Sequence, residues 1–204
     1  MIENAKENSQ RVELKDRIIE TASEAFTAHG IKSITMDDIA ASLGISKRTL
    51  YEVFQDKESL LTQCILKRQE EMNAFLAETL ANSKNVLEVI LVCYQRSIET
   101  FHRTNKRFFE DIKKYPKVHS LLKNYRERDS DSTIEFFKMG IKQGIFRDDV
   151  NFAIVNLLVH EQLDLLMNTD ICNKYSFLEV YEAIMFTYIR ESRQRKGQRY
   201  WKIL

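Results

Sequence analysis

The chain is poor in the residues that make tight turns. Its 204 residues include only five Gly and one Pro, well below ordinary usage. Sandwiches, barrels and doubly wound sheets all need many tight turns, so this scarcity argues against them and favours an all-α fold. The hydrophobic content of 44% is sufficient for the core of one large domain or two small ones.

Cysteines and long apolar runs are also scarce. Cys64, Cys93 and Cys172 are odd in number and far apart, which fits neither a disulfide framework nor a zinc site. We interpret them as reduced core thiols and expect no metal and no cofactor. The first ten residues are polar, and no uncharged apolar run approaches the ~18 residues of a membrane span. We therefore expect a cytoplasmic protein with no membrane partner.

Charge of neither sign dominates. There are 31 Lys and Arg against 30 Asp and Glu, a net charge of +1, so any affinity for nucleic acid must come from a local patch. Residues 1–60 are even slightly acidic, with 8 Lys and Arg against 11 Asp and Glu. Residues 190–204 carry a basic run, which we interpret as a solvated helix end, with contact to DNA or an acidic partner as the alternative.

Two short helices separated by a tight turn are predicted near the N-terminus. Apolar residues recur at three- and four-residue spacing over residues 12–29, which predicts an amphipathic helix, and Gly30 suits its C-terminal cap. Thr35 begins a capping-box sequence. Gly44 ends the resulting short helix and Ser46 can cap the next, to about residue 54. This is a helix-turn-helix pattern.

Helical patterns continue to the C-terminus. A long helix is predicted over about residues 56–81, with two apolar groups separated by a polar stretch that has nothing to bury. The further helices predicted lie at about 86–103, 106–115, 118–142, 150–168 and 177–193, with the sharpest break at Pro116.

Residues 35–61, TMDDIAASLGISKRTLYEVFQDKESLL, resemble the DNA-binding signature of the TetR/AcrR family of transcriptional regulators. At motif level the resemblance extends over about residues 11–61, and beyond them only the order and length of the helices agree. It implies an N-terminal three-helix DNA-binding domain with a helix-turn-helix, at residues 1–55. A long helix would join it to a helical domain for effector binding and dimerisation, at residues 56–204.

We expect the second helix of the motif to be the recognition helix. In a helix-turn-helix its N-terminal residues meet base edges and phosphates in the major groove, and Arg48 is suited to bidentate contact with guanine. The resemblance implies phosphate contacts for Tyr51 and Lys57 and a backbone anchor for Thr35. The predicted DNA-binding residues are Thr35, Ser46, Lys47, Arg48, Thr49, Tyr51 and Lys57. Caps, core packing or plain surface exposure are the alternative roles of these side chains.

Glu52 leaves two roles open for Arg48 on the recognition helix. It lies four residues after Arg48 and can pair with it along the helix. Arg48 then either reads a base or is held away from it, and Glu52 itself could accept a hydrogen bond from a cytosine amino group.

The helix predicted over residues 150–168 has apolar residues nearly all round it, so it must be covered on more than one side. A second subunit is one cover and the interior of a monomer is the other. The resemblance favours a homodimer, which would place two recognition helices on a near-palindromic double-stranded DNA operator. The predicted interface residues are Phe152, Val155, Val159, Leu163, Tyr181, Ile184 and Tyr188.

The central helices are rich in aromatic residues, which suit a planar or apolar ligand but can equally be core. The resemblance implies a small-molecule effector, of a class that the sequence does not indicate, whose binding shifts the long helix. The predicted pocket residues are Tyr94, Phe101, Phe109, Phe137 and His160.

Catalysis is not expected. The Glu99-x-x-His102 pair has the spacing used by helical di-iron proteins, but these need two copies and further carboxylates. Phosphate-binding loops, zinc-protease motifs and nucleophile elbows are absent from the sequence. We therefore expect a DNA-binding repressor released by a small molecule. The alternative, favoured by the acidic N-terminal balance, is a helical sensor or adaptor that has lost DNA binding and acts through protein partners.

Overall fold

The fold is all-α, which confirms the predicted class. The computed structural model describes residues 2–128, 130–168, 171 and 174–193, with side chains except those of residues 2–8, 123, 126–128, 130 and 163–168. Ten helices occur in this part of the chain: α1 (Ile2–His29), α2 (Met36–Leu43), α3 (Lys47–Val53), α4 (Lys57–Asn82), α5 (Val86–Arg103), α6 (Lys106–Ile112), α7 (Pro116–Arg128), α8 (Ser130–Lys142), α9 (Phe152–Asn168) and α10 (Phe177–Ser192).

Several helix boundaries differ from the predicted ones, and the single helix predicted over about 118–142 corresponds to two helices, α7 and α8. Helix α1 begins at Ile2, before the apolar pattern starts, because Ala, Glu, Lys and Gln favour a helix without a face to bury. Helix α6 ends at Ile112, and α7 begins with Pro116 as its first residue, a position where the missing N–H costs nothing.

The chain divides into two compact units. The head unit comprises Met1–Met72 and Arg103–Ser120, and the body unit comprises Asn73–His102 and Leu121–Leu204. The functional boundary between residues 55 and 56 stays a prediction. In the part of the chain that is described, helices long and apolar enough to span a membrane are absent.

The head unit is built on the predicted apolar face of α1. Ile18, Ala22 and Phe26 recur every four residues and are all fully buried. Burying a side chain such as Phe26 contributes roughly 1.5–3 kcal/mol. Cys64 is a buried core thiol, as interpreted from the sequence, and burial raises its pKa to about 11. The other fully buried large side chains of this unit are Ile31, Ile39, Leu50, Leu60, Leu61 and Val118.

The core of the body unit is aromatic. The rings of Phe137 and Phe152 stack at 4.3 Å between centroids, and Phe146 packs against both. Val86 and Leu87 of α5, together with Ile145, are the other buried members of this cluster. Phe152 is only 6% exposed, so it has almost no surface left for a second subunit.

Candidate DNA-binding surface

The helix-turn-helix begins at a capping box. Thr35 is the N-cap of α2, and its hydroxyl accepts a hydrogen bond from the Asp38 N–H at 3.1 Å and donates to Asp38 Oδ2 at 2.6 Å. The Thr35 N–H also donates to the same carboxylate, at 2.8 Å. These bonds stabilise the charged carboxylate and lower the pKa of Asp38.

Gly44 makes the turn between the two helices. Its φ of 65° lies in the left-handed region, which glycine adopts without a Cβ penalty. Ser46 then begins α3, because its hydroxyl accepts from the Thr49 N–H at 3.0 Å. The Ser46 and Thr49 hydroxyls also share a hydrogen bond of 2.8 Å. These two predicted DNA-binding residues therefore fix the N-terminus of α3.

Helix α3 presents a polar face outward. Leu50 is fully buried and Phe54, just past the helix, is 4% exposed, which anchors one side. The opposite side exposes four side chains, including Tyr51 at 44%. The exposed residues of this face are Lys47, Arg48, Tyr51 and Glu52, hereafter the α3 face.

Both cations of the α3 face are paired with carboxylates. Lys47 Nζ lies 2.8 Å from Asp37 Oδ2 of α2, and this partner raises the pKa of Lys47. Arg48 Nε lies 2.9 Å from Glu52 Oε1, one helical turn on. Because all four side chains are exposed, such pairs contribute little to stability. A phosphate oxygen can therefore replace the Asp37 carboxylate as the partner of Lys47 at small cost.

Lys57 is turned toward its own unit. Its ammonium donates a hydrogen bond to the carbonyl oxygen of Ile34, immediately before the α2 cap, and lies 5.7 Å from the centre of the Phe26 ring. Partial burial lowers the pKa of Lys57, against the opposing effects of Asp111 and Asp38. The structure thus gives this predicted phosphate contact a positioning role at the start of α2.

Asp111 of α6 is a buried carboxylate whose structural role the sequence does not reveal. It is 7% exposed, and its Oδ2 accepts a hydrogen bond from the Lys32 N–H at 2.7 Å. The Asn105 N–H, just before α6, donates to the Thr27 carbonyl at 2.8 Å. These contacts fix α6 to the segment that leads into the helix-turn-helix. They join residues about 80 positions apart, so no local pattern predicts them.

The body unit contains a cavity of about 530 Å³ between α4, α5, α8 and α10. The described residues that line it include no charged side chain. The Tyr94 hydroxyl at its wall donates to Glu182 Oε1 at 2.5 Å, which raises the pKa of Tyr94 to about 12. The lining residues are Asn73, Leu76, Ala77, Leu80, Val89, Ile90, Leu91, Cys93, Tyr94, Ser132, Thr133, Phe136, Tyr181, Met185, Phe186 and Ile189.

A second feature of the body unit is an exposed apolar face on α9. Ile154, Leu157 and Leu158 are 54%, 58% and 45% exposed, and their spacing places them side by side. We call these three residues the α9 face.

Residues 18–64 match the family model described as bacterial regulatory proteins, tetR family. This segment contains the capping box, the turn and the whole α3 face. Over these residues the chain carries a TetR-family DNA-binding region. Like the TetR-family regulators it resembles, it is a DNA-binding transcriptional regulator.

Known TetR-family proteins resemble most of the chain. The HTH-type transcriptional repressor KstR2 of Mycobacterium tuberculosis (strain CDC 1551 / Oshkosh) is 23% identical over 160 residues, 76% of this chain and 78% of that protein. A TetR-family regulator from Agrobacterium tumefaciens has a TM-score of 0.69, with 16% identity over 90% of this chain and 99% of that one. A transcriptional regulator from Saccharomonospora viridis, solved in complex with choline, has a TM-score of 0.68 and 18% identity, covering 90% of this chain and all of that one.

The five residues predicted to line the effector pocket do not lie together. Of the five, only Tyr94 lines the body cavity. Phe101 packs against Phe177 and Tyr181, and Phe137 stacks in the core. Phe109 belongs to the head unit, and His160 is half-buried on α9, away from the cavity lining.

The predicted dimer-interface residues are also dispersed. Phe152 is in the core, and Val155 packs against the same cluster. Tyr181 lines the cavity. The half-buried residues are Val159, Ile184 and Tyr188, and the side chain of Leu163 lies outside the described residues. Among the described side chains of α9, the large apolar ones that are exposed are those of the α9 face, and none of them is among the predicted interface residues.

Proposed function

We propose that the chain is a homodimeric repressor that binds a near-palindromic operator and is released by an uncharged, largely apolar small molecule. The observation that carries this proposal is the α3 face, where Lys47, Arg48 and Tyr51 stand exposed on the second helix of a helix-turn-helix. A cytoplasmic location goes with this function, because the operator is there in a bacterial cell.

The α3 face suits the major groove. Its neighbours fix α3 at both ends: the Gly44 turn and the Ser46 cap at the start, and buried Phe54 at the end. Lysine and tyrosine side chains at such a surface contact phosphates, whereas arginine reads base edges. Each phosphate contact releases counterions, so the affinity for DNA falls steeply as salt rises.

The body cavity suits the effector. Its volume lies within the usual range of small-molecule sites, and the lack of a charged lining residue makes burial of an ionised ligand costly. The Tyr94 hydroxyl donates its proton to Glu182, which leaves its oxygen to accept one hydrogen bond from a ligand. An uncharged molecule with a single donor group fits this arrangement.

Helix α4 supplies residues to both functions. Lys57 at its start bonds to the segment before α2, and Leu76 and Leu80 near its end line the cavity. An effector that binds better when α4 is placed unfavourably for DNA shifts the population away from the bound state. The names of two relatives agree with repression and with a small-molecule ligand, since KstR2 is a repressor and the Saccharomonospora viridis regulator was solved in complex with choline. Choline is a cation, so this likeness supports a ligand site, whereas the uncharged class of the effector rests on the cavity lining of this chain alone.

The experiment that tests the proposal is selection of the purified protein on a random duplex library at several salt concentrations. We expect a near-palindromic motif whose affinity falls steeply with salt. Tyr51→Ala should weaken binding at least tenfold, while Tyr175→Ala, at a still more exposed tyrosine of the body unit, should leave it unchanged. A folded protein that selects no duplex, even at low salt, would overturn the proposal and favour the adaptor alternative.

A further inference from the structure

The α3 face carries an ion pair with a distinctive geometry. Arg48 donates through Nε to Glu52 Oε1 at 2.9 Å, and the two side chains are 89% and 59% exposed. An arginine has five N–H groups, of which four belong to its two terminal nitrogens. A bond made through Nε therefore restrains the side chain. The N–H groups at the terminal edge of the guanidinium can still donate hydrogen bonds to another acceptor.

That terminal edge matches guanine. Two parallel N–H groups of arginine bond to the O6 and N7 acceptors in the major groove. A free arginine side chain must give up much rotamer entropy to make this contact. The bond to Glu52 restricts Arg48 before DNA arrives, so less entropy is lost on binding.

Glu52 places a requirement of its own on the DNA sequence. A carboxylate that approaches the groove is repelled by phosphates, and Arg48 offsets this charge only in part. A base with a major-groove amino group relieves the repulsion, because the second carboxylate oxygen, Oε2, can accept its hydrogen bond. Cytosine N4 is the group that pairs with a carboxylate in this way.

The spacing of the two residues fits adjacent base pairs. Four residues of helix advance by about 6 Å, and successive base pairs are about 3.4 Å apart. Because the hydrogen bond draws the two side-chain ends together, they reach neighbouring base pairs.

We propose that Arg48 and Glu52 act as one specificity-determining pair, in which Arg48 reads a guanine and Glu52 accepts from the amino group of a cytosine in the adjacent base pair. This inference rests on the proposed function, since it presupposes that α3 enters the major groove. Glu52 is thereby a reading residue in its own right, and also the positioning residue of Arg48.

Paired selection experiments test this inference. The wild-type protein, Glu52→Gln and Arg48→Lys are each selected on the same random duplex library, and discrimination at every position of the half-site is measured by competition. We expect the wild type to require a guanine with a cytosine at the adjacent base pair. Glu52→Gln should bind DNA overall at least as tightly, because it removes a negative charge, but lose about tenfold or more in discrimination at the cytosine. Arg48→Lys should lose a similar factor at the guanine.

Asp37→Asn is the matched control. It removes the carboxylate paired with Lys47, the other cation of the α3 face, and should change affinity evenly for all sequences. If Glu52→Gln keeps the wild-type discrimination at every position, the inference is overturned and the proposed function stands. If the wild type selects no motif, both are overturned.

Discussion

Thr35 shows how one side chain can hold the entry to a helix-turn-helix. Its hydroxyl both accepts from the Asp38 N–H and donates to the Asp38 carboxylate, which lowers the pKa of Asp38 below its ordinary value of 3.8. A group with a lowered pKa in the folded state stabilises the fold above its unfolded pKa. That stability is lost as the pH falls through the folded pKa. This contact therefore adds to the stability of the head unit at neutral pH, and its contribution is lost in acid.

We expect Thr35→Ala to raise the pKa of Asp38, because the hydrogen bond from the Thr35 hydroxyl, which lowers this pKa the most, disappears while the bond from the backbone N–H remains. The measurement is an NMR titration of the Asp38 side-chain carboxyl carbon. Thr35→Ser keeps the hydroxyl and should retain most of the wild-type shift. An identical pKa in the alanine variant and the wild type would show that the hydroxyl does not stabilise the carboxylate.

At the scale of whole elements, the short helices of the head unit are the part of the fold that the sequence predicts best. The caps at Thr35 and Ser46 and the turn at Gly44 depend on residues within three positions of one another, so local spacing predicts them. The partners of Lys47 and Lys57 are distant in sequence, and they arise only once α2, α3 and α4 pack. The same limit explains the body unit: Phe136 and Phe137 are neighbours in sequence, yet one lines the cavity and the other stacks on Phe152.

Helix α4 offers a direct test of the body cavity. Ala77 lines the cavity, whereas Ala81, one turn later, is exposed and does not. We expect the uncharged fluorophore N-phenyl-1-naphthylamine to bind the wild type with a rise in fluorescence. Ala77→Phe should weaken this binding at least tenfold by filling the cavity, and Ala81→Phe should leave it unchanged.

The charge of the probe supplies the second comparison for the cavity. A sulfonated naphthylamine of similar size should bind more weakly, because its charge finds no oppositely charged partner among the lining residues and burial of an unpaired charge is costly. Equal binding of both fluorophores, or equal weakening by both phenylalanine variants, would contradict an apolar site at this position.

At the scale of the whole molecule, the α9 face is the feature that a single protomer leaves unexplained. Ile154, Leu157 and Leu158 each expose about half of their surface, and adjoining apolar residues of this kind mark an interaction site. The core already uses Phe152 on the other side of the same helix. The described side chains of α9 are thus covered on one side and exposed on the other, and a second copy of the chain is the cover that the proposed function requires.

We expect Leu157→Glu to convert the protein to a monomer, because a second subunit would bury two unpaired carboxylates at the centre of a two-fold interface. Analytical ultracentrifugation should show the mass fall from twice 24.1 kDa to 24.1 kDa. Affinity for the palindromic operator should fall by about 100-fold or more, since the two half-sites are no longer bound by linked subunits, while affinity for a single half-site stays near its wild-type value.

Tyr175→Glu, an equally exposed position outside α9, is the control and should remain dimeric. A Leu157→Glu protein that stays dimeric would place the interface on another surface, and a monomer that kept full operator affinity would show that DNA binding does not depend on the dimer.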